Sequence, residues 1–464
     1  MKEHKFLISF SGTQFKEATA ILPDDKEDVF YGLGFEYTTG SKTRFLIRQV
    51  LNPYEFEVNR GIAHVSPSPE FTCKLYNLIR REKASLVLNI HWHKFEEYPA
   101  FSFKDDEVAF WLRGDIRQMN LDVKVLQVVF GNRSKHFKAR LLTDNGFFYF
   151  DNIEIVGPNG ITVLPERKPA YANIGQVFEK NALAFTKEGM EKISHTIVTV
   201  IGAGGIGSGL LYQMARIGFK YINIIDPDVV TANNCNRLYW VNNPRDVIGK
   251  SKVRFIAEEY KRFNPRARIW HFTGDAKSSK ARRLMKRADL IVLAVDNNSI
   301  RAVVNSFAAQ YCKPLVNVST GIFMNKEGDK IQNAGTQIQW LIPREIDYPC
   351  LRCQGSLSQK EIQQELMDES QKQNRRKAGY IDNTLISPEP QVMPLNGIGI
   401  SLAMWQICCW ITGIRKPEPW TYYDAIQNEL INMQVRQSPE CTCCGLNEMS
   451  VLALGDYKKE LIKQ

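Results

Sequence analysis

The stretch "VTVIGAGGIGSGLL", residues 198–211, decides how the rest of the chain is read. An apolar run of strand character ends in Gly202-x-Gly204-Gly205-x-Gly207 and passes into a helical pattern. Glycines at such a junction let backbone N–H groups approach a phosphate, and the start of the helix adds partial positive charge. Working outward, strand candidates at 196–201, 221–225, 269–272, 290–294 and 315–318 alternate with amphipathic segments. That rhythm predicts an α/β domain with a doubly wound, mostly parallel sheet. The loop alone would serve an NAD-dependent oxidoreductase equally well.

The residues that follow separate the two readings. Asp226, at the end of the second strand, is placed to hold ribose hydroxyls of either nucleotide. Asp228, Asn234, Asn236 and Arg237 come next, and "GKSK" supplies Lys250 and Lys252. Hydride transfer has no use for this cationic set. Attack on the α-phosphate of ATP does, because charge builds on the phosphate oxygens and the leaving pyrophosphate. Asp296 lies just past an apolar strand, at the usual ligand edge of such a sheet, where a carboxylate suits Mg²⁺ bridging ATP phosphates.

In combination, the segments 202–208, 226–237, 249–252 and 296–301 resemble the ThiF/MoeB/ubiquitin-activating superfamily, over about residues 172 to 450. The resemblance implies ATP-dependent adenylation of the C-terminal carboxylate of a ubiquitin-like protein by a homodimer. By this match Asp226 binds ribose, Asn234 and Arg237 contact phosphates, Lys252 contacts the α-phosphate and Asp296 holds Mg²⁺. Two positions depart from the pattern: Cys235 replaces a leucine, and Lys180 stands where an arginine that reaches the phosphates is expected.

Ten cysteines are present, and four fall in the pairs Cys350-x-x-Cys353 and Cys441-x-x-Cys444. Each pair resembles half of a zinc knuckle, which implies a structural Zn²⁺; Cys443 is a spare thiol beside it. Ubiquitin-activating relatives pass the acyl group to a cysteine near a crossover segment, here about 354–396, but no cysteine occurs between Cys353 and Cys408. Ser387, Thr384 and Cys443 are the remaining acceptor candidates. Cys408 and Cys409 lie in the apolar window 398–414, read as a buried helix that carries Gln406.

Residues 1–160 read as an α+β block. Alternating apolar runs at 43–51 and 121–130 suggest strands, and Asn145-Gly146 marks a hairpin turn. Residues 161–174 are expected to be a proline-rich linker, and 175–464 the second domain. Within the first block, His91-x-His93 ends a strand and Ser102-x-x-Asp105 follows. Two histidines at i and i+2 on a strand face one way, and with Asp105 they could bind a second Zn²⁺ with one position left for water. This resembles the JAB/MPN (JAMM) metalloprotease motif, with Lys94 in place of the usual proline. It implies a tail-trimming or deconjugating activity, or an inactive docking platform. Glu27 is the candidate general base, expected on an early helix.

Lys and Arg outnumber Asp and Glu by 60 to 50, but they are scattered along the chain and no nucleic-acid motif appears. No signal peptide or bilayer-spanning stretch is read at this stage, and a cytoplasmic protein is expected. The combined expectation is the activating enzyme of a bacterial ubiquitin-like conjugation pathway, with a conjugating enzyme as a further partner. The alternatives are activation of a sulfur-carrier protein for cofactor biosynthesis and a non-catalytic scaffold that binds ubiquitin-like proteins.

Overall fold

Among the described residues two large sheets, covered by helices, are built in sequence along the chain, beside a small hairpin of Val58–Arg60 and Val65–Pro67. The computed structural model describes residues 4–20, 26–61, 65–132, 136–165, 175–325, 327–367 and 390–457. The first sheet has nine strands in the spatial order Gly160–Leu164, Ile153–Gly157, Lys5–Ser11, Lys42–Leu51, Val29–Thr39, Leu86–Trp92, Lys124–Phe130, Phe137–Thr143 and Gly146–Phe150. The expected hairpin forms with its turn at Asp144–Asn145, and Gly146 takes a φ of 104°. One expectation needs correction. Residues 161–164 are not linker but part of the edge strand Gly160–Leu164 of this sheet, antiparallel to Ile153–Gly157. The remaining linker positions, 166–174, lie outside the described residues.

The second sheet runs Arg268–Thr273, Tyr221–Asp226, Ile197–Ile201, Leu290–Leu293, Leu315–Met324, Ile331–Leu341, Trp420–Asp424 and Glu429–Met433. The first five pair in parallel and the last three antiparallel. The chain lays down Ile197–Ile201 first, winds outward on one side, then crosses to begin the other side at Leu290–Leu293. The carboxyl ends of those two neighbours therefore diverge into different connections. In open α/β sheets that divergence leaves a crevice for a ligand.

The apolar helix extends over Met393–Thr412 and is long and apolar enough to cross a bilayer, yet most of it is buried inside the protein. It packs against the helices Gly205–Ile217 and Glu179–His195 and against the strands Leu315–Met324 and Ile331–Leu341. Cys408 and Cys409 are buried on it.

The two sheets share one core cluster. Phe35, Tyr37 and Leu46 of the first sheet pack with Ile201, Leu293, Phe307 and Cys350 of the second region. Polar links run across the same boundary. Arg344 donates to the carbonyls of Ser9 at 2.7 Å and Ile47 at 2.8 Å. Glu345 accepts from the amide and hydroxyl of Thr13 at 2.9 and 2.7 Å. The indole of Trp410 donates to Gly157 O at 2.9 Å. Charge-assisted bonds in a half-buried setting contribute roughly 1.5–3 kcal/mol each. Arg344→Ala is therefore expected to destabilise the protein by about 3 kcal/mol. In differential scanning calorimetry, a single transition should resolve into two as the regions uncouple.

Candidate functional site

The crevice is a cavity of about 1060 Å³ at the carboxyl ends of the parallel strands. Drug-sized ligand sites typically measure roughly 300–1,000 Å³, so a nucleotide leaves space for a second group. Gly202 opens the loop with a φ of 92°, and a Cβ there would lie 2.3 Å from Ala294 O. A Cβ on Gly207 would lie 1.9 Å from Gly202 O. Both positions therefore exclude every side chain. Gly204 caps the helix Gly205–Ile217 with no side-chain hydrogen bond. The first amides of that helix accordingly lack a side-chain cap where an anion would sit.

Gly202, Gly204, Gly205, Asp226, Asp228, Asn234, Arg237, Lys252 and Asp296 all line the cavity. Their local roles differ from the sequence reading at several points. Asp226 is 6% exposed, and its two oxygens accept the amides of Ala203 at 2.6 Å and Asp228 at 2.8 Å. Burial raises its pKa above the ordinary carboxylate value, against the opposing pull of Lys252. The carboxylate expected to hold ribose also anchors the glycine loop. The side chain of Asp228 is 61% exposed and pairs with Lys252 Nζ at 2.8 Å, so it presents an accessible carboxylate in the same place.

Lys252 starts the helix Lys252–Phe263 and is 7% exposed. Lys250 is exposed and does not line the cavity; its carbonyl accepts Val230 N at 2.8 Å instead. Lys180 also lies outside the lining. Asn234 turns its oxygen back onto Thr231 N and Oγ1, closing the turn that precedes Arg237. The stem of Arg237 lies over Gly205, where a Cβ would meet its Cδ at 3.2 Å. Asp296 is exposed to the cavity just beyond Leu290–Leu293.

Four contributors escaped the sequence reading. Glu365 accepts Asn298 N at 2.9 Å and Ser299 N at 2.6 Å, and Glu361 accepts Asn298 Nδ2. Both sit on the short helix Gln359–Leu366, one turn apart, and cap the helix Asn298–Gln310 beside Asp296. Asn396 and Thr320 line the cavity on its other flank. The i, i+4 glutamate spacing was visible in the sequence; the helix that they cap was not.

The four paired cysteines converge, with all Sγ atoms within 4.8 Å of one another. Cys350 lies 3.6 Å from Cys441, and Cys353 lies 3.7 Å from Cys444. A tetrahedral zinc with Zn–S bonds of about 2.3 Å sets its sulfurs about 3.8 Å apart. The thiols fit such an ion. Cys443 is not among them: it is 3% exposed and its Sγ accepts from Asn305 Nδ2 at 3.1 Å. Burial against Asn305 does not suit it to receive an acyl group. Thr384 and Ser387 lie outside the described residues.

His91, His93 and Asp105 also converge, each offering an atom within 4.8 Å of the others. His91 Nε2 lies 2.9 Å from Asp105 Oδ1, and His93 Nε2 lies 3.8 Å from Asp105 Oδ2. His93 Nδ1 meets Glu96 at 3.1 Å, which leaves Nε2 to face inward. Asp105 opens the helix Phe103–Gln118 in a capping box with Ser102. Burial pushes its carboxyl up, but the His91 ring and the Ser102 amide and hydroxyl outweigh this and hold it below the usual carboxylate range. Glu27 is on no helix; it lies in the coil before Val29–Thr39. Val29 pairs with His91, and Trp92 N donates to Asp28 O at 3.3 Å. Glu27 N donates to Gly61 O at 2.9 Å. Lys94, where a proline was expected, pairs with the buried Asp28 at 2.8 Å.

Among solved structures, one of E. coli MccB with MccA-N7isoASN aligns over 59% of this chain and 76% of that one, with 17% identity and a TM-score of 0.47. Among curated relatives, SUMO-activating enzyme subunit 2 of Dictyostelium discoideum is 34% identical over 137 residues. That match covers 29% of this chain and 20% of the relative. Adenylyltransferase and sulfurtransferase MOCS3 of Arabidopsis thaliana is 30% identical over 170 residues, 37% of this chain and 33% of the relative. Molybdopterin-synthase adenylyltransferase of Escherichia coli (strain K12) is 25% identical over 266 residues, 56% of this chain and 92% of the relative. The chain thus matches a third or less of the first two of these proteins. The ThiF family model matches residues 178–443, more than half of the sequence, and the chain belongs to the ThiF family.

Proposed function

We propose that this chain adenylates the C-terminal carboxylate of a ubiquitin-like protein with ATP. The observation that carries the reading is the convergence of an uncapped helix start, Arg237, Lys252 and Asp296 on one cavity. A carboxylate oxygen of the protein tail attacks the α-phosphorus, and the bond to the β-phosphate breaks. The electron pair leaves on pyrophosphate, and no proton need move. Helix amides and the two cations meet the phosphate oxygens where charge develops. Asp228 is the ribose ligand in this reading, and Asp226 its support. Asp296 would hold Mg²⁺, which shields the phosphate charge when bound. The names of the relatives point both to ubiquitin-like and to sulfur-carrier substrates. A ubiquitin-like substrate is preferred because the N-terminal block brings His91, His93 and Asp105 together.

That block supports a second activity. The three side chains would hold Zn²⁺, which lowers the pKa of bound water when present. Glu27 is the residue that would take the water's proton in this reading. Trimming a ubiquitin-like tail would expose the carboxylate that the second region then charges. The cysteine quartet would hold a structural Zn²⁺.

Pyrophosphate exchange into ATP tests the first reading. Exchange is expected with a ubiquitin-like protein and not without one; a scaffold gives none in either case, and a sulfur carrier that alone supports exchange moves the chain to cofactor biosynthesis. Arg237→Ala and Lys252→Ala should each lower exchange by about 10²-fold or more. Asp228→Asn should raise the KM for ATP by about tenfold, the loss of one charge-assisted bond. Metal analysis tests the second. Two zinc ions per chain are expected, one lost in His91→Ala or His93→Ala and the other in Cys350→Ser. Unchanged zinc in the histidine variants would remove the N-terminal site.

A further inference from the structure

Asn396 belongs to the first turn of the buried helix Met393–Thr412, where the chain re-enters the core after the crossover segment. It is 2% exposed, yet it lines the nucleotide cavity. Thr320 Oγ1 donates to its Oδ1 at 2.7 Å. With the oxygen engaged there, the amide nitrogen turns the other way, toward the glycine loop: a Cβ on Gly205 would lie 2.7 Å from Asn396 Nδ2. The same hypothetical Cβ would touch the stem of Arg237. Gly205 is thus bare because two polar side chains, Asn396 and Arg237, converge on it. Thr320 itself belongs to Leu315–Met324, whose partner Ile331–Leu341 continues the wall through Gly335, Thr336 and Gln337. Asn396 therefore stands between the phosphate end of the cavity and the wall formed by these two strands.

We propose that Asn396 is a catalytic residue whose Nδ2 donates to the non-attacking oxygen of the incoming carboxylate. This rests on the adenylation reading. When the other oxygen bonds to the α-phosphorus and pyrophosphate departs, the held oxygen becomes the carbonyl of the acyl-adenylate. A neutral donor suits that task, because it orients the carboxylate without pairing with it as a competing cation would. Thr320 is the positioning residue: in donating to Oδ1 its hydroxyl holds the side chain with Nδ2 toward the glycine loop. Orientation of this kind fixes the line of attack rather than the affinity for nucleotide.

The test is equilibrium binding of two probes to the full-length protein: MgATP, and 5′-O-(N-glycylsulfamoyl)adenosine, which carries an acyl carbonyl at the position concerned. Asn396→Ala is expected to weaken the glycylsulfamoyl probe at least tenfold while MgATP stays within twofold. Asn396→Asp, which turns a donor into a repelling oxygen, should weaken the probe further. Thr320→Val, at a half-buried position, should lose about threefold on the probe alone through a freed amide. Equal losses for both probes would make Asn396 a packing residue and overturn the proposal, as would no loss for either. Failure of the wild-type protein to bind MgATP would instead overturn the adenylation reading.

Discussion

No side chain fits at Gly202, and the remainder of the candidate site depends on that exclusion. Its Cα passes so close to the carbonyl of Ala294 that the ends of two parallel strands stay in contact while their continuations part. The first continuation becomes a helix whose opening amides face the gap; the second becomes the segment that carries Asp296. Gly207 repeats the constraint one turn into the helix, where it presses on Gly202 O and holds the helix start against the loop. Asp226 secures the same loop from the neighbouring strand by accepting Ala203 N. The anion site is thus made by backbone approach first and by charged side chains second.

This order explains which parts were legible in the sequence. Gly202, Gly204, Gly205 and Gly207 announce a local event, a strand turning into a helix, and local events survive in sequence spacing. The cysteine pairs and the His91-x-His93 strand are local in the same sense. Asp226 and Asp228 are two residues apart and chemically alike. Only the position of the Ala203 and Asp228 amides decides that the first is buried against the glycine loop and the second exposed. Lys250 and Lys252 differ likewise: one lies in the loop with its carbonyl engaged, the other begins a helix beside the cavity. The strand Ile331–Leu341 is hard to read because "IQNAGTQIQWL" alternates amides with apolar residues, and its buried Thr336 and Gln339 find partners far away in sequence, at Ser319 O and at Asn317 and Ser356. Glu361 and Glu365 act on a helix some sixty residues earlier in the chain, a pairing no spacing encodes.

The N-terminal block is not an appendage. Arg48 reaches from Lys42–Leu51 to the carbonyls of Asn447, Ser450 and Leu452, which follow directly on Cys444. Arg44 meets Glu154 at 3.2 Å within its own sheet and Asp289 at 3.7 Å across the boundary. Buried pairs of this kind add little net stability over apolar packing, but loss of one partner strands the other charge. Their effect is to fix one relative placement of the two sheets, which the shared apolar cluster alone would not specify.

The cysteine quartet completes that logic. Gly445 must be glycine, since a Cβ would lie 2.4 Å from Pro439 O and 2.7 Å from Cys441 O. Gly355, just after Cys353, takes a φ of 73°. Each thiol pair thus sits in a tight turn, one at the entry to the crossover segment and one at the C-terminal end of the second region. With those two turns drawn together, the chain between Cys353 and Cys441 is closed into one long loop. A long loop tethered at both ends loses far less entropy on docking than a free one.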